Sequence, residues 1–356
     1  MSPNPHSNSP CFSEQVLRWF DEFGRHDLPW QNTQDPYRIW ISEIMLQQTQ
    51  VKTVIPFYTR FMQQFPDIVS LAKADQDQVL HYWTGLGYYA RARNLHKAAQ
   101  TIVDSHAGVF PQTFDDVLEL SGIGRSTAGA ILSFAFSQRH PILDGNVKRV
   151  LSRHFAIEGW PGKSAVSDQL WNIAETHTPQ KDVAKYTQAI MDFGATLCTR
   201  SKPQCHICPL NSSCVAFSTQ RVNEFPGKKP KKILPTKKTA MLLLQNNHAE
   251  FFLIQRPPTG IWGGLWSFPE IDIDNTHSVI EKSHLDFNGE NVCIEKIASP
   301  FTHTFSHFHL EITPIHASLM NQTESIISEQ MAVWYDPKKP LQIGLAAPIK
   351  KLLQSM

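Results

Sequence analysis

Apolar residues recur at helical spacing through the first two thirds of the chain. Val16, Leu17, Phe20 and Phe23 share one face of a helix over 13–23. Asp35-Pro36 opens the next helix, with Asp as N-cap and Pro at the first helical position, where a missing N–H costs nothing. The rhythm predicts further helices over 51–65, 76–83 and 90–105. Thr113-Phe-Asp-Asp116 has the form of a capping box, with Asp for the usual Glu. Helices over 114–120 and 125–136 follow, on either side of Ser121-Gly-Ile-Gly124. No strong alternating strand precedes residue 238. Beyond it, apolar runs at 240–244 and 250–255 flank Asn246-Asn247-His248, which suits a hairpin. Residues 301–319 alternate in part, with Phe305, His307, His309 and Glu311 on one face and Phe308, Leu310 and Ile312 on the other. The pattern predicts an all-α region followed by an α+β one.

Charge separates the same regions. Residues 1–238 carry 26 Lys/Arg against 20 Asp/Glu, a balance of +6, and residues 239–356 carry 7 against 12, or −5. Only the first region leans toward polyanions. The stretch 221–238, RVNEFPGKKPKKILPTKK, combines prolines with mutually repelling lysines and reads as an extended basic linker, bounded at 219–238. Residues 1–12 are Pro/Ser/Asn-rich and read as a loose tail without the apolar segment of a secretory signal. No run of some 18 apolar residues is present, which argues against a membrane span.

The cysteines carry the clearest chemistry. Cys198, Cys205, Cys208 and Cys214 lie within 17 residues, while Cys11 and Cys293 are isolated. Without an export signal such clustering points to a metal site rather than disulfides. Only one pair has CxxC spacing, and the compact, unequal arrangement favours a [4Fe–4S] cluster over zinc. Gly122 and Gly124 permit a tight turn that leaves backbone N–H groups open at a helix N-terminus, a phosphate-binding arrangement, although an ordinary αα turn has the same pattern. Asp144, in Pro141-Ile-Leu-Asp-Gly-Asn-Val147, is an N-cap by position. The sharper alternative to a plain cap is a partly buried carboxylate near bound DNA, where it would stabilise an oxocarbenium ion at a sugar C1′. Glu43 follows Ile39 and Trp40 by four and three residues, near the apolar stripe of its helix. Burial there would raise its pKa and make it a proton donor, whereas a Glu at the stripe's edge would reach water. Gln47-Gln48-Thr49-Gln50 and the stretch from Gly85 to Arg93 offer amides for base edges, aromatics for wedging, and Arg91 and Arg93 for phosphates. A polar helix end and a glycine turn explain them equally well.

Taken together, these residues resemble the MutY-type adenine DNA glycosylases of the helix-hairpin-helix superfamily, over about 13–353. The markers are LPW at 28–30, SEIMLQQTQV at 42–51, WTGLGYYARARNLHKAA at 83–99, GIGRSTAGAIL at 122–132, PILDGNVKRVL at 141–151, the four cysteines, and FTHTFSHFHL at 301–310. The resemblance implies a helical glycosylase core over 13–218, with its hairpin at 121–125 and its cluster loop at 198–214, joined by the linker to a MutT-like (Nudix) domain over 239–356. It implies excision of adenine mispaired with 8-oxoguanine or guanine in duplex DNA, after the base is flipped out. Glu43 would protonate adenine N7, Asp144 would stabilise the oxocarbenium ion, and Asn146 would orient groups nearby. Gln47, Gln48, Leu86, Tyr88, Gly122, Gly124 and Ser126 would contact DNA, with Gln48 and Tyr88 as wedges. Phe305, Ser306 and His307 would read 8-oxoguanine. Cys198, Cys205, Cys208 and Cys214 would hold a cluster that is structural or DNA-sensing, not hydrolytic. The implied setting is a monomer in a bacterial cytoplasm, at the nucleoid.

Departures from the pattern sharpen these expectations. Ser126 stands where strand-cleaving relatives carry a lysine, and a serine cannot form a Schiff base, so a monofunctional enzyme is expected. Lys148 could give slight trapping. Gly264-x5-Glu270 is present, but the carboxylates that hold Mg²⁺ in active Nudix hydrolases are missing around 278–283. That opposes a nucleotide pyrophosphohydrolase. Ser121 replaces the family's usual Pro. The competing readings are a pyrimidine-damage glycosylase/lyase on the same scaffold and a non-catalytic DNA-binding protein. Ser126 and the C-terminal domain oppose the first, and retention of both Glu43 and Asp144 opposes the second. The histidines at 303, 307 and 309 read as members of an aromatic strand face rather than metal ligands.

Overall fold

The computed structural model describes residues 11–230, 233–271, 284–287, 290–319 and 331–355. These form two compact units. One comprises the described residues up to Ala72 with those from Lys97 to 230; the other comprises Lys73–His96 with those from 233 onward. The helices are α1 (Phe12–Phe23), α2 (Pro36–Leu46), α3 (Val51–Gln64), α4 (Ile68–Lys73), α5 (Gln76–Trp83), α6 (Ala90–His106), α7 (Phe114–Glu119), α8 (Arg125–Phe136), α9 (Gly145–His154), α10 (Ser164–His177), α11 (Val183–Asp192) and α12 (Val215–Ser218). A π-helical turn, Phe193–Leu197, continues α11, and a 3₁₀ turn covers Cys205–Ile207.

Local chemistry accounts for where these helices begin. Asp35 accepts the Tyr37 N–H at 2.9 Å, and Thr113 accepts that of Asp116 at 3.2 Å. The expected tail ends earlier than its composition suggests, because Cys11 caps α1 and donates its backbone N–H to Glu14 at 3.1 Å. The apolar faces of α1, α8, α9, α10 and α11 converge on one core that includes Val16, Phe20, Ala130, Leu143, Val147, Leu151, Leu170, Ile190 and Phe193. The Trp19 ring meets Phe193 edge-on at 5.0 Å. Leu143 and Val147, on either side of Asp144 in sequence, are buried in this core.

Among the described residues, the second unit is built on a nine-stranded mixed sheet with main order β3-β2-β1-β8-β6-β5. Its strands are β1 (Thr236–Gln245), β2 (Phe251–Gln255), β3 (Trp266–Ser267), β4 (Glu270–Ile271), β5 (His284–Phe287), β6 (Glu290–Ile297), β7 (Phe301–Thr304), β8 (His309–Leu319) and β9 (Ala332–Tyr335); α13 (Ala347–Gln354) follows. β1 and β8 pair in parallel, with Ala240 opposite Thr313. Residues 240–244 are buried on both faces of β1, as its unbroken apolar run requires. β1 starts at Thr236, inside the stretch expected to be linker, because Thr236, Lys237 and Lys238 already pair with His309, Leu310 and Glu311. Asn246 accepts the His248 and Glu250 N–H groups, both at 2.9 Å, and closes the expected β1–β2 hairpin.

Residues 301–319 are not one strand. β7 and β8 form a hairpin in which Thr304 faces His309 and the Phe305 N–H donates to the Phe308 carbonyl at 2.9 Å. Phe305 and His307 therefore sit in the turn and share no strand face with His309 and Glu311. Alternation holds separately within β7 and within β8, where Leu310 and Ile312 are buried, and is broken at the turn between them. Residues 73–96 belong to this unit through polar ties. Asp77 accepts from Gln255 Nε2 at 2.9 Å and Trp266 Nε1 at 3.0 Å, and the Tyr89 hydroxyl donates to the Leu345 carbonyl at 3.0 Å.

Candidate active site, cluster site and presented turns

Two carboxyl groups meet in a cavity of about 890 Å³ in the first unit. Asp144 is the N-cap of α9, and its Oδ1 accepts the backbone N–H of Asn146 at 3.0 Å and of Val147 at 2.8 Å. Its Oδ2 accepts the Asn146 side-chain amide at 3.0 Å. The cap and the candidate catalytic carboxylate are thus the same group. Burial pushes the Asp144 carboxyl up, and the two helix N–H groups, Arg149 and the Asn146 amide pull it back. Glu43 reaches the cavity from α2 and has no such donors in that balance. Burial, and then the charge of Asp144, push Glu43 up to about 8. Glu43 is therefore the proton-bearing member of the pair at neutral pH, while the helix that Asp144 caps offsets part of the effect of burial on its carboxyl.

Several supporting residues were not singled out from the sequence. Arg149 ties three segments together: it donates to Asn146 Oδ1 at 2.8 Å, to the Gly194 carbonyl at 2.6 Å and to the Cys198 carbonyl at 2.8 Å. Gly194 makes that approach possible, because a Cβ there would lie 2.6 Å from Asn146 Cβ and 3.0 Å from its backbone carbon. Asp192 is fully buried and accepts from Arg25 N at 2.8 Å, from the Arg25 guanidinium and from Gln188 Nε2 at 2.8 Å. Arg25, Trp30 and Gln188 all line the cavity. Arg149 follows Asn146 by three residues and could be found by helical spacing. Asp192 lies 167 residues from Arg25 and leaves no local signal.

Ser126 Oγ accepts the Leu143 N–H at 3.0 Å, so this hydroxyl positions the segment leading into Asp144. Gly122 has φ +84°, which favours glycine, and Gly124 is the N-cap of α8 with open space where a Cβ would be. Gln47 lies at the end of α2 and reaches Thr127 Oγ1 at 3.4 Å. Gln48 is exposed at φ +58°, a strained conformation for a non-glycine residue at the cavity's rim.

In the second unit Tyr88 is 53% exposed at φ +50°, whereas Leu86 is buried. The expectation that Arg91 and Arg93 face phosphates is not met. Arg91 is buried, its guanidinium lies over the rings of Trp83 and Tyr88, and it donates to the Gly87 carbonyl. Arg93 donates to the Gly263 carbonyl at 2.8 Å. Ser306 and His307 stand exposed at the tip of the β7–β8 turn, while Phe305 stacks on Phe308 at 4.6 Å and meets Trp262 at 5.5 Å. Glu270 is paired with Arg256 at 2.6 Å. The carboxylates missed around 278–283 fall outside the described residues.

The four clustered cysteines surround one cavity together with Arg153, Leu197, Pro203, Gln204 and Phe217. Arg153 donates to Cys198 Sγ at 3.3 Å. Burial and the neighbouring thiols push Cys208 up to about 12 and raise Cys205 and Cys214 as well. Among the described residues no three ligating side chains converge on a single-ion position. Four thiols around one shared space are the donor set of a [4Fe–4S] cluster, which Cys198, Cys205, Cys208 and Cys214 would hold.

Comparison with known proteins covers the helical core, the cysteine loop and the sheet unit. Residues 41–176 match the HhH-GPD superfamily of base-excision DNA repair proteins, residues 198–214 the iron–sulfur binding domain of endonuclease III, and residues 240–355 the NUDIX domain. An adenine DNA glycosylase of Buchnera aphidicola (from Acyrthosiphon pisum) is 42% identical over 97% of this chain and 97% of its own length. The human adenine DNA glycosylase is 31% identical over 97% of this chain and 73% of its own. A thermostable thymine-DNA glycosylase superposes with TM-score 0.54 at 28% identity, covering 58% of this chain and 95% of its own. Endonuclease III in a trapped covalent complex with DNA reaches TM-score 0.50 at 20% identity, over 58% and 94%, and shows the shared helical fold. With a helical base-excision core, an iron–sulfur loop and a NUDIX domain each matched, and adenine DNA glycosylases matched over nearly its whole length, this chain belongs to the adenine DNA glycosylase family of base-excision repair enzymes.

Proposed function

We propose that the enzyme hydrolyses the N-glycosidic bond of adenine mispaired with 8-oxoguanine, or with guanine, in duplex DNA. The observation that carries this reading is the pairing of a proton-bearing Glu43 with an N-capping Asp144 in one cavity large enough for a flipped nucleotide. Glu43 donates to adenine N7 as the C1′–N9 bond breaks, so adenine departs neutral. Asp144, oriented by the α9 N-terminus and Asn146, faces the developing positive charge on the sugar. Arg149 holds Asn146 in place. The chain provides no lysine at position 126, and the Ser126 hydroxyl is engaged with Leu143, which supports hydrolysis without a Schiff base.

Discrimination of 8-oxoguanine is assigned to the turn carrying Phe305, Ser306 and His307, whose exposed hydroxyl and imidazole sit on a stacked aromatic base. Gln47, Gln48, Leu86 and Tyr88 are assigned to the base stack, and Gly122, Gly124 and Ser126 to the backbone at the hairpin. Tyr88 and Gln48 are the better placed of the first group, being exposed. Cys198, Cys205, Cys208 and Cys214 would hold the [4Fe–4S] cluster, which supplies structure and charge near DNA rather than a hydrolytic metal. The division into a core over 13–218, a linker over 219–238 and a lesion-reading domain over 239–356 is retained as a functional scheme, with residues 73–96 added structurally to the last.

The test is single-turnover cleavage of a duplex with one adenine opposite 8-oxoguanine, scored with and without alkali. Strand breaks only after alkali are expected. Breaks without alkali would make it a lyase and point to Lys148. No product would leave a DNA-binding module.

A further inference from the structure

Behind Glu43 lies a second cavity of about 360 Å³ in the same unit. His26, Asn32 and Gln34 belong to its roof, Ser42 to its α2 wall and Ala184 to its α11 wall. Trp30, Glu43 and Gln188 line both this chamber and the larger cavity holding Asp144. Glu43 is therefore a partition residue, reached from two sides. The partition is held from outside the chamber: Gln188 is bonded to buried Asp192, and the Trp30 ring rests edge-on against Tyr58 at 5.3 Å. Phe20, Ile39 and Phe134 complete the walls, and a space of this size in which amides, hydroxyls and an imidazole also face inward has the several polar partners a water needs.

Hydrolysis consumes one water per turnover. A flipped nucleotide in the larger cavity, with its duplex across the mouth, closes that approach. We infer that the chamber behind Glu43 is the inlet for the hydrolytic water. The inference rests on the assignment of Glu43 as proton donor, and it balances in protons. Glu43 gives its proton to N7 while the C1′–N9 electron pair leaves with adenine. Water from the chamber then forms the new C1′–O bond and returns a proton to the Glu43 carboxylate. No further acid or base is required.

The test fills the chamber from two independent walls, with Ala184→Leu and Asn32→Phe, neither of which is placed in the reaction itself. Two rates are read on the full-length protein: single-turnover adenine release, and exchange of labelled free adenine into the lesion duplex through re-formation of the bond. If water enters through the chamber, hydrolysis falls about tenfold while the ratio of exchange to hydrolysis rises by a similar factor and the duplex Kd holds. If exchange and hydrolysis fall together, or neither moves in folded variants, the inlet is wrong. Having two walls guards against one variant failing to fold. Glu43→Gln separates the assumptions: loss of both hydrolysis and exchange upholds Glu43 as donor whatever the chamber does. Retention of both removes the donor assignment and the inlet with it.

Discussion

A carboxyl group kept protonated at neutral pH costs stability, and Glu43 offers a way to measure that cost. In the folded chain Glu43 titrates at about 8, against 4.5 for the free group. Between those two values the unfolded chain has released a proton that the folded chain still binds. Unfolding therefore becomes easier as pH rises through that window, and the penalty saturates above pH 8. At pH 7 the gap from the free value is about 2.5 pH units, or about 3 kcal/mol at 1.36 kcal/mol per unit. Glu43→Gln keeps the shape of a neutral carboxyl without the proton to lose. The expected result is a variant devoid of base release yet more stable than the parent. Its advantage should be near zero at pH 4.5, grow to about 3 kcal/mol at pH 7 and level off above pH 8. Denaturant unfolding of both proteins at several pH values reads this difference directly. Above about pH 8 the parent's single-turnover rate should fall tenfold per pH unit as Glu43 loses its proton. A stability difference independent of pH would refute the reasoning, because Glu43 would then titrate as an ordinary carboxyl.

Asp144→Asn is expected to abolish adenine release while binding to the lesion duplex persists, which gel-shift and single-turnover assays would separate; normal turnover would remove Asp144 from the mechanism. Ser306→Ala with His307→Ala should erode the preference for 8-oxoguanine over guanine opposite adenine without lowering the rate on the guanine pair, as a ratio of kcat/KM values would show. Gly194→Ala forces a methyl into the Asn146 backbone and should cost about 1–3 kcal/mol, with a fall in single-turnover rate larger than any change in duplex Kd. Binding should weaken steeply with salt; a flat response would contradict phosphate contacts by the core.

The pattern of apolar positions found α1 to α3 and α5 to α8, because each carries a cap or a stripe written locally, but it did not name α4, α10 or α11. Asp35, Thr113 and Asp144 all sit where capping chemistry puts them. The carboxyl pair was legible for the same reason: one member is a cap and the other a charge on an apolar face. The hairpin at 301–319 was not, since a turn between two alternating strands preserves enough alternation to mimic one strand. Arg91 and Arg93 misled because a basic helix looks the same whether its guanidinium groups face solvent or lie over Trp83 and against Gly263. The Arg25–Asp192 contact was invisible because it spans 167 residues and exists only after tertiary packing, although Gln188 and Asp192 sit four apart on α11.

The ties of residues 73–96 to the sheet bear on how this protein is made. Asp77 waits for Gln255 and Trp266, 178 and 189 residues downstream, and Tyr89 waits for Leu345, 256 residues away. At roughly 5–20 residues per second of synthesis, that interval is on the order of ten seconds to a minute. Throughout it, an early-made segment sits on the ribosome without the partners that complete it. A message cut short anywhere before codon 345 would yield not a smaller working enzyme but a chain with an unfinished second unit, in which Asp77 or Tyr89 still lacks what it was placed to meet.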